Sequence, residues 1–151
     1  MIQKVVSGGQ TGVDRAALDW ALNHSINIGG FCPKGRLAEN GIIPEIYPLI
    51  ELDSPEYTVR TRANVENSDG TLIFFKSKLN GGTKNTLAYC EAIKKPYLAV
   101  ELSTSENEFK MQFNTWLSQE NIQVLNIAGP RASKCQNCYG SVVQLLNATL
   151  K

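Results

Sequence analysis

A glycine-rich turn between a strand-like segment and a helix-like segment is the part of this chain best suited to chemistry. Residues 2–6 form a short, mostly apolar run, and apolar side chains recur at helical spacing from Thr11 onward. A turn in this position points unpaired backbone N–H groups outward, and the helix dipole adds partial positive charge there. The turn therefore predicts a site for a phosphate or another oxyanion. Its candidate ligand-binding residues are Gly8, Gly9, Gln10, Thr11, Gly12 and Asp14.

Two other predicted strand-to-helix turns combine glycine with a cation. They span residues 80–86 and 129–134. Because the carboxyl ends of parallel strands meet at one edge of a sheet, we expect all three turns to line one pocket. Glycine turns with added cations favour a small phosphorylated ligand. The candidate binding residues of these two turns are Gly81, Gly82, Thr83, Lys84 and Arg131.

The composition excludes several classes of function. The chain has 151 residues and a formal net charge of +1, which predicts one domain without the basic surface of a nucleic-acid-binding protein. The chain opens on a strand-like segment instead of a basic leader, and no apolar stretch is long enough to span a bilayer, so we expect a cytoplasmic protein. Neither a structural metal nor a catalytic dyad is predicted, because His24 is the only histidine.

Cys135 and Cys138 have the spacing of a redox pair or of half a zinc site. A structural zinc needs four ligands, and the chain has neither a second C-x-x-C nor a histidine pair. We therefore favour two thiols at a loop-to-helix junction, with redox or metal chemistry as the alternative.

The remaining pattern predicts strands that alternate with helices. Strand-like runs lie at residues 2–6, 26–32, 70–75, 96–102 and 123–128. Helices are expected from Thr11, from Ser54–Glu56, from a cap at Thr83 or Asn85, around Phe109–Leu117 and over Tyr139–Leu150. The segment 33–49 is typical of an irregular loop. This order predicts a single α/β domain over residues 1–151, with an open, mostly parallel sheet of about five strands and helices on both faces.

Five motifs in this order make the chain resemble the molybdenum carrier family. They are residues 7–17, 30–36, 60–65, 81–83 and 126–131, and the resemblance covers nearly the whole chain. It implies a Rossmann-like protein that binds molybdenum cofactor, a phosphorylated pterin (molybdopterin) with molybdenum, and holds it without turnover. Through its second motif the resemblance adds Lys34 and Arg36 to the candidate cofactor-binding residues.

Residues 60–82 are also similar to the lysine-decarboxylase-like phosphoribohydrolases, which release bases from nucleoside monophosphates. Arg60, Ser68-Asp69 and Gly81-Gly82 stand in the order found in those enzymes. Their catalytic glutamate after the glycine-rich loop is missing here, and Glu91 lies about one helical turn further on, which argues against that hydrolysis. A nucleotide-sensing module without catalysis is a further alternative for the same loops.

The expected partners are a small phosphorylated ligand and, through the resemblance, molybdenum apo-enzymes that receive the cofactor. Neither a nucleic acid nor a membrane is expected. Phe31, Tyr47 and Trp116 are candidates for an exposed apolar patch, through which copies of the chain would form a homo-oligomer.

Overall fold

The computed structural model describes residues 1–150 as an α/β domain. Lys151, the last residue of the predicted domain, lies outside the described residues. The strands are β1 (Lys4–Val6), β2 (Asn27–Gly29), β3 (Phe31–Cys32), β4 (Leu37–Ala38), β5 (Gly41–Ile42), β6 (Ile50–Glu51), β7 (Gly70–Phe75), β8 (Tyr97–Glu101) and β9 (Val124–Ala128). The helices are α1 (Val13–Asn23), α2 (Tyr57–Glu66), α3 (Gly81–Ala92), α4 (Glu106–Gln119) and α5 (Cys138–Ala148). None of the helices within residues 1–150 has the length and apolar character needed to cross a membrane.

The main sheet has five parallel strands in the order β2-β1-β9-β7-β8. Moving β9 and α5 from the end of the chain to its beginning would give the order 3-2-1-4-5, which is that of a Rossmann sheet. The chain is therefore a circular permutation of that arrangement. Ligands of such sheets bind at the carboxyl edge where the strand order reverses, which here is the crevice between β9 and β7.

Side chains alternate between the two faces of β7. Leu72 and Phe74 belong to the main hydrophobic core, which α1, α4 and α5 complete. Thr71 and Ile73 face the opposite side, where α2 and α3 pack together. The predicted α/β domain with helices on both faces is thus confirmed, and the face under α2 and α3 carries the polar groups.

The largest difference from the predicted elements lies in residues 30–52, which we call the excursion. The strand expected over residues 26–32 breaks at Gly30, whose φ is +124° and where a Cβ would lie 2.3 Å from the carbonyl oxygen of Ser7. On either side of the predicted loop β3 pairs with β6, and within the loop β4 pairs with β5. These pieces pack against α1 around a second small core formed by Leu18, Cys32, Ala38, Ile43, Tyr47 and Leu49.

Other boundaries and exposures also differ from the predictions. α3 begins at Gly81 instead of after a cap at Thr83 or Asn85, since the Lys84 N–H already donates to the Asn80 carbonyl oxygen at 3.2 Å. Tyr47 and Trp116 are each only 8 % exposed. The apolar patch predicted from these two aromatic side chains is therefore wrong, since both belong to the cores.

Candidate functional site

A large cleft opens at the carboxyl edge of the sheet, on the face covered by α2 and α3. Its volume is about 920 Å³, towards the upper end of the range usual for small-molecule sites. Its walls are formed by the turn after β1, by helix α2, by the first turns of α3, and by the end of β9 with the turn that follows it. The residues that line the cleft include Gly8, Gln10, Asp14, Tyr57, Arg60, Arg62, Gly81, Gly82, Thr83, Tyr89, Asn126, Arg131 and Lys134.

Cations outnumber carboxylates in the walls of this cleft. Arg60, Arg62, Arg131 and Lys134 line it, whereas Asp14 is the one carboxylate among its described lining residues. A concave surface with excess positive charge concentrates anions. The cleft therefore favours an anionic ligand.

Arg60 joins α2 to the turn after β1. Its Nη1 donates to the carbonyl oxygen of Gly8 at 3.2 Å and lies 3.6 Å from Asp14 Oδ2. The guanidinium also lies over the ring of Tyr57, 5.0 Å from the ring centre. A Cβ on Gly8 would come within 2.2 Å of Arg60 Nη1, so this position needs glycine for the arginine to reach the backbone.

Asp14 is a buried acid at the edge of the cleft. It is 7 % exposed, and burial raises its pKa from 3.8 to about 6, although the Arg60 charge and the Gln10 N–H act in the opposite direction. The carboxyl therefore changes its charge close to neutral pH in the wall of the cleft.

The turn after β1 uses its N–H groups within the chain instead of presenting them to the cleft. The Gly9 N–H donates to Ser7 Oγ at 3.2 Å, and the Gln10 N–H donates to Asp14 Oδ2 at 3.2 Å. The Thr11 N–H donates to Gln10 Oε1 at 3.1 Å. The predicted set of unpaired, outward N–H groups is wrong for these three residues, because side chains of the same segment already accept their hydrogen bonds.

Gly9 and Gly12 serve packing of the chain on itself. Gly9 has a φ of +76°, and a Cβ there would lie 2.6 Å from Leu49 Cδ1 of the excursion. Gly12 has a φ of +80°, and its Cβ would lie 2.6 Å from the Pro130 carbonyl oxygen. Together with Thr11, both glycines lie outside the cleft lining.

The beginning of α3, in contrast, is open to the cleft. Its first turn has no side-chain cap and no acidic residue. Gly81 and Gly82 are exposed, with nothing within 4 Å of where a Cβ would stand. The N–H groups of Gly81, Gly82 and Thr83 have no acceptor within residues 1–150. Unpaired N–H groups at a positive helix end form a suitable site for a phosphate.

Three predicted cations lie outside the cleft. Lys34 is exposed on a short 3₁₀ turn of the excursion, and Lys84 is exposed on α3. The Arg36 guanidinium instead ties the excursion together. It donates to the carbonyl oxygens of Ile43 at 3.2 Å, Pro44 at 3.0 Å, Tyr47 at 2.8 Å and Leu49 at 3.1 Å.

Several lining residues were missing from the predicted site. Arg60, Arg62 and Tyr57 lie on α2, which has a mostly polar sequence, and a polar helix does not reveal which of its side chains faces a cleft. The available signals were the motif at residues 60–65 and the similarity of residues 60–82 to the phosphoribohydrolases, both of which include Arg60. Asn126 lies inside β9, 3 % exposed, and its Nδ2 donates to Thr71 Oγ1 at 3.2 Å. A polar residue within an apolar strand is a signal that would have found it.

Cys135 and Cys138 form a disulfide with a Cα–Cα distance of 5.5 Å. The favoured prediction of two separate thiols is therefore corrected, because the turn before α5 brings the two side chains together. No cluster of three or more His, Cys, Asp or Glu side chains suited to a metal ion occurs within residues 1–150.

Comparison with known proteins agrees with this architecture. The sequence model of the "Circularly permutated YpsA SLOG family" matches residues 5–150. The chain is 48 % identical to a Syntrophus aciditrophicus SB protein whose crystal structure is described as that of a "Putative molybdenum carrier protein". The match covers 99 % of this chain and 96 % of that one, with a TM-score of 0.97. No curated protein matches the chain. The permuted strand order and the match over almost all residues lead to one conclusion: the chain belongs to the circularly permutated YpsA family of SLOG proteins.

Proposed function

We propose that this protein binds molybdenum cofactor in the cleft and carries it without consuming it. The observation that carries the proposal is the cleft of about 920 Å³, whose described lining has four cations and one carboxylate, which Arg60 already engages. The relative described as a molybdenum carrier supports the class of ligand. The cofactor has a flat pterin fused to a ring that carries both the dithiolene with its metal-oxo group and the phosphate arm, and the cleft offers a group to each of these parts.

The beginning of α3 suits the phosphate. The N–H groups of Gly81, Gly82 and Thr83 have no acceptor within residues 1–150, and these residues line the same cleft as Lys134. A smaller cavity of about 130 Å³ adjoins this end, and Lys76, Lys78 and Lys134 line it. A phosphate placed here would receive charge-assisted hydrogen bonds from ammonium groups as well as from the backbone.

The arginine side of the cleft suits the ring and the oxo group. The Arg60 guanidinium lies over Tyr57, and the Arg62 guanidinium lies 5.3 Å from the centre of the Tyr89 ring. Such planar surfaces stack well against a flat heteroaromatic ring. The cofactor's own dithiolene holds its metal, so the protein needs only donors to the oxo group, which guanidinium groups supply.

The placement of the carboxylates favours carrying over hydrolysis. Glu91 accepts a hydrogen bond from the Tyr97 hydroxyl at 3.3 Å and does not line the cleft. Asp14 does line it and changes its charge near neutral pH, so it is the one carboxyl among the described lining residues that could exchange a proton, although Arg60 and the Gln10 N–H already engage it. Hydrolysis of a glycosidic bond needs a general acid or base free to exchange a proton with the substrate.

The test uses cofactor extracted under anaerobic conditions and two matched lysine variants. The wild-type protein should retain the cofactor and afterwards reconstitute an apo-enzyme. Lys134→Ala should weaken retention by roughly 1–3 kcal/mol, the usual loss for a charge-assisted hydrogen bond. Lys84→Ala is the control, because Lys84 is exposed and lies outside both cavities. It should retain the cofactor like the wild type.

Incubation with nucleoside monophosphates separates the alternative functions. Release of free base at a catalytic rate would replace the carrier with a phosphoribohydrolase. Tight binding of an intact nucleotide, with no retention of cofactor, would replace it with a nucleotide-sensing module.

A further inference from the structure

Beside the cleft, a carboxylate of the excursion fills a ring of hydrogen-bond donors. Glu39 Oε2 accepts from Thr11 Oγ1 at 2.6 Å and from the Ser133 N–H at 3.1 Å. Glu39 Oε1 accepts from Ser133 Oγ at 2.5 Å and lies 3.5 Å from Arg131 Nε. We call Thr11, Arg131 and Ser133 the oxyanion cradle, because each directs a donor group at the carboxylate.

The cradle differs from an ordinary surface ion pair. A surface pair usually joins two flexible side chains through one contact, whereas two hydroxyls, a backbone N–H and a guanidinium meet at Glu39. The Glu39 side chain is 21 % exposed although the residue lies at the surface, and Thr11 is 9 % exposed. Hydrogen bonds from Ser133 and Thr11 hold the pKa of Glu39 below its ordinary value, so the group stays an anion.

The position of the cradle in the fold is that of a ligand phosphate in other Rossmann sheets. Arg131 and Ser133 lie on the turn after β9, which becomes the first strand-to-helix turn when the permutation is undone, and Thr11 reaches them from the turn after β1. Rossmann proteins bind the phosphates of their ligands at that turn. Here the same turn holds an anion that the chain itself supplies from 94 residues earlier.

The cradle and the cleft share Arg131. This side chain lines the cleft and is 40 % exposed, while its Nε faces Glu39. Glu39 itself is not among the cleft-lining residues. A ligand anion that reaches Arg131 from the cleft therefore meets a guanidinium that Glu39 also attracts, and the two negative charges compete.

We propose that the cradle is an oxyanion subsite beside the cleft, reached from it through Arg131, which Glu39 fills in the free protein and a phosphoryl or oxo group of the ligand takes over. The displacement of Glu39 by the ligand rests on the proposed function, but the existence of the cradle does not. Loss of the contacts of the Glu39 carboxylate would leave the β4–β5 hairpin attached through weaker hydrogen bonds. Among them are the Glu39 N–H to Gln10 Oε1 at 2.9 Å and Arg15 Nη2 to Asn40 Oδ1 at 3.1 Å.

The test compares Glu39 variants with matched Glu51 variants, using inorganic phosphate as the probe. Glu51 lies on the same excursion and accepts the Gly35 N–H at 2.7 Å, so Glu51→Gln removes an equal charge away from the cradle. Isothermal titration at low ionic strength should show Glu39→Gln and Glu39→Ala binding phosphate about tenfold more tightly than the wild type. Glu51→Gln should bind phosphate like the wild type. Adding Ser133→Ala to Glu39→Gln should reverse the gain.

Three results would contradict parts of this scheme. Equal phosphate affinity in the Glu39 and Glu51 variants overturns the cradle. Retention of cofactor with the same affinity by the wild type and Glu39→Gln overturns its displacement by the ligand. A wild type that retains no cofactor, while Glu39→Gln gains a phosphate site, overturns the proposed function and leaves the cradle standing. Glu39→Gln keeps the size of the side chain, so it remains informative if Glu39→Ala does not fold.

Discussion

The buried carboxyl of Asp14 should make the stability of this protein depend on pH in an unusual direction. Burial raises the pKa of Asp14 from 3.8 to about 6, which means that the folded protein disfavours the ionised form. The stabilising contribution of this group is therefore fully present below pH 3.8 and is lost as the pH rises through about 6. Most native carboxylates behave in the opposite way, because their partners lower the pKa.

The size of the effect follows from the two pKa values. The difference between 3.8 and about 6 corresponds to about 3 kcal/mol of the free energy of unfolding. Asp14→Asn cannot ionise, so its free energy of unfolding relative to the wild type should rise by about 2 kcal/mol between pH 4 and pH 7.5, because about half a kcal/mol of the difference is already present at pH 4. Urea unfolding, followed by the fluorescence of buried Trp20, measures both proteins across this range. Parallel pH profiles for the two proteins would refute the reasoning.

The same carboxyl should also control anion binding. Sulfate keeps its charge between pH 5 and 7.5, so a change in its affinity over this range reports on the protein. As the pH falls, Asp14 loses its negative charge, and sulfate should bind the wild-type cleft more tightly, while binding to Asp14→Asn should stay constant. Sulfate affinity that changes equally in both proteins would assign the effect to another group.

Three further predictions concern the stability of the segments around the cleft. Gly12→Ala should lower the free energy of unfolding, measured in urea, by roughly 2–4 kcal/mol, because a side chain at the φ of +80° would lie 2.6 Å from a backbone atom. Gly82→Ala is the control and should change the free energy of unfolding little, because its Cβ has nothing within 4 Å. Arg36→Ala should make the excursion sensitive to limited proteolysis while cofactor retention is kept, since it removes hydrogen bonds to four carbonyl groups. Reduction of the Cys135–Cys138 disulfide with dithiothreitol should lower the free energy of unfolding by about 2 kcal/mol, with no such effect in Cys135→Ser.

Elements whose pattern is local were predictable from the residues. The apolar run of β7 and the helical stripe of Phe109, Phe113 and Trp116 both occur as expected, because burial of neighbouring side chains follows the period of the element. The excursion was not predictable, since its strands are two residues long and pair only after the chain folds back on α1. Arg60 was missed for the same reason: the carbonyl oxygen that receives its hydrogen bond lies 52 residues away.

The residue sequence by itself determined the order of the main strands and helices and the positions of the glycine turns, because these depend on neighbouring residues. It also determined the family, through its motifs. Tertiary structure decided which turn stays open. The turn after β1 and the beginning of α3 both carry glycines before a helix, yet Asp14 and the excursion engage the first, while Gly81 and Gly82 remain exposed. A backbone N–H pairs with whichever acceptor lies near it: Ser7, Gln10 and Asp14 of the same segment accept from residues 9–11, and the Pro130 carbonyl oxygen accepts from the Val13 N–H at 3.2 Å. Packing, and not the glycine motif, therefore determines where a ligand can bind.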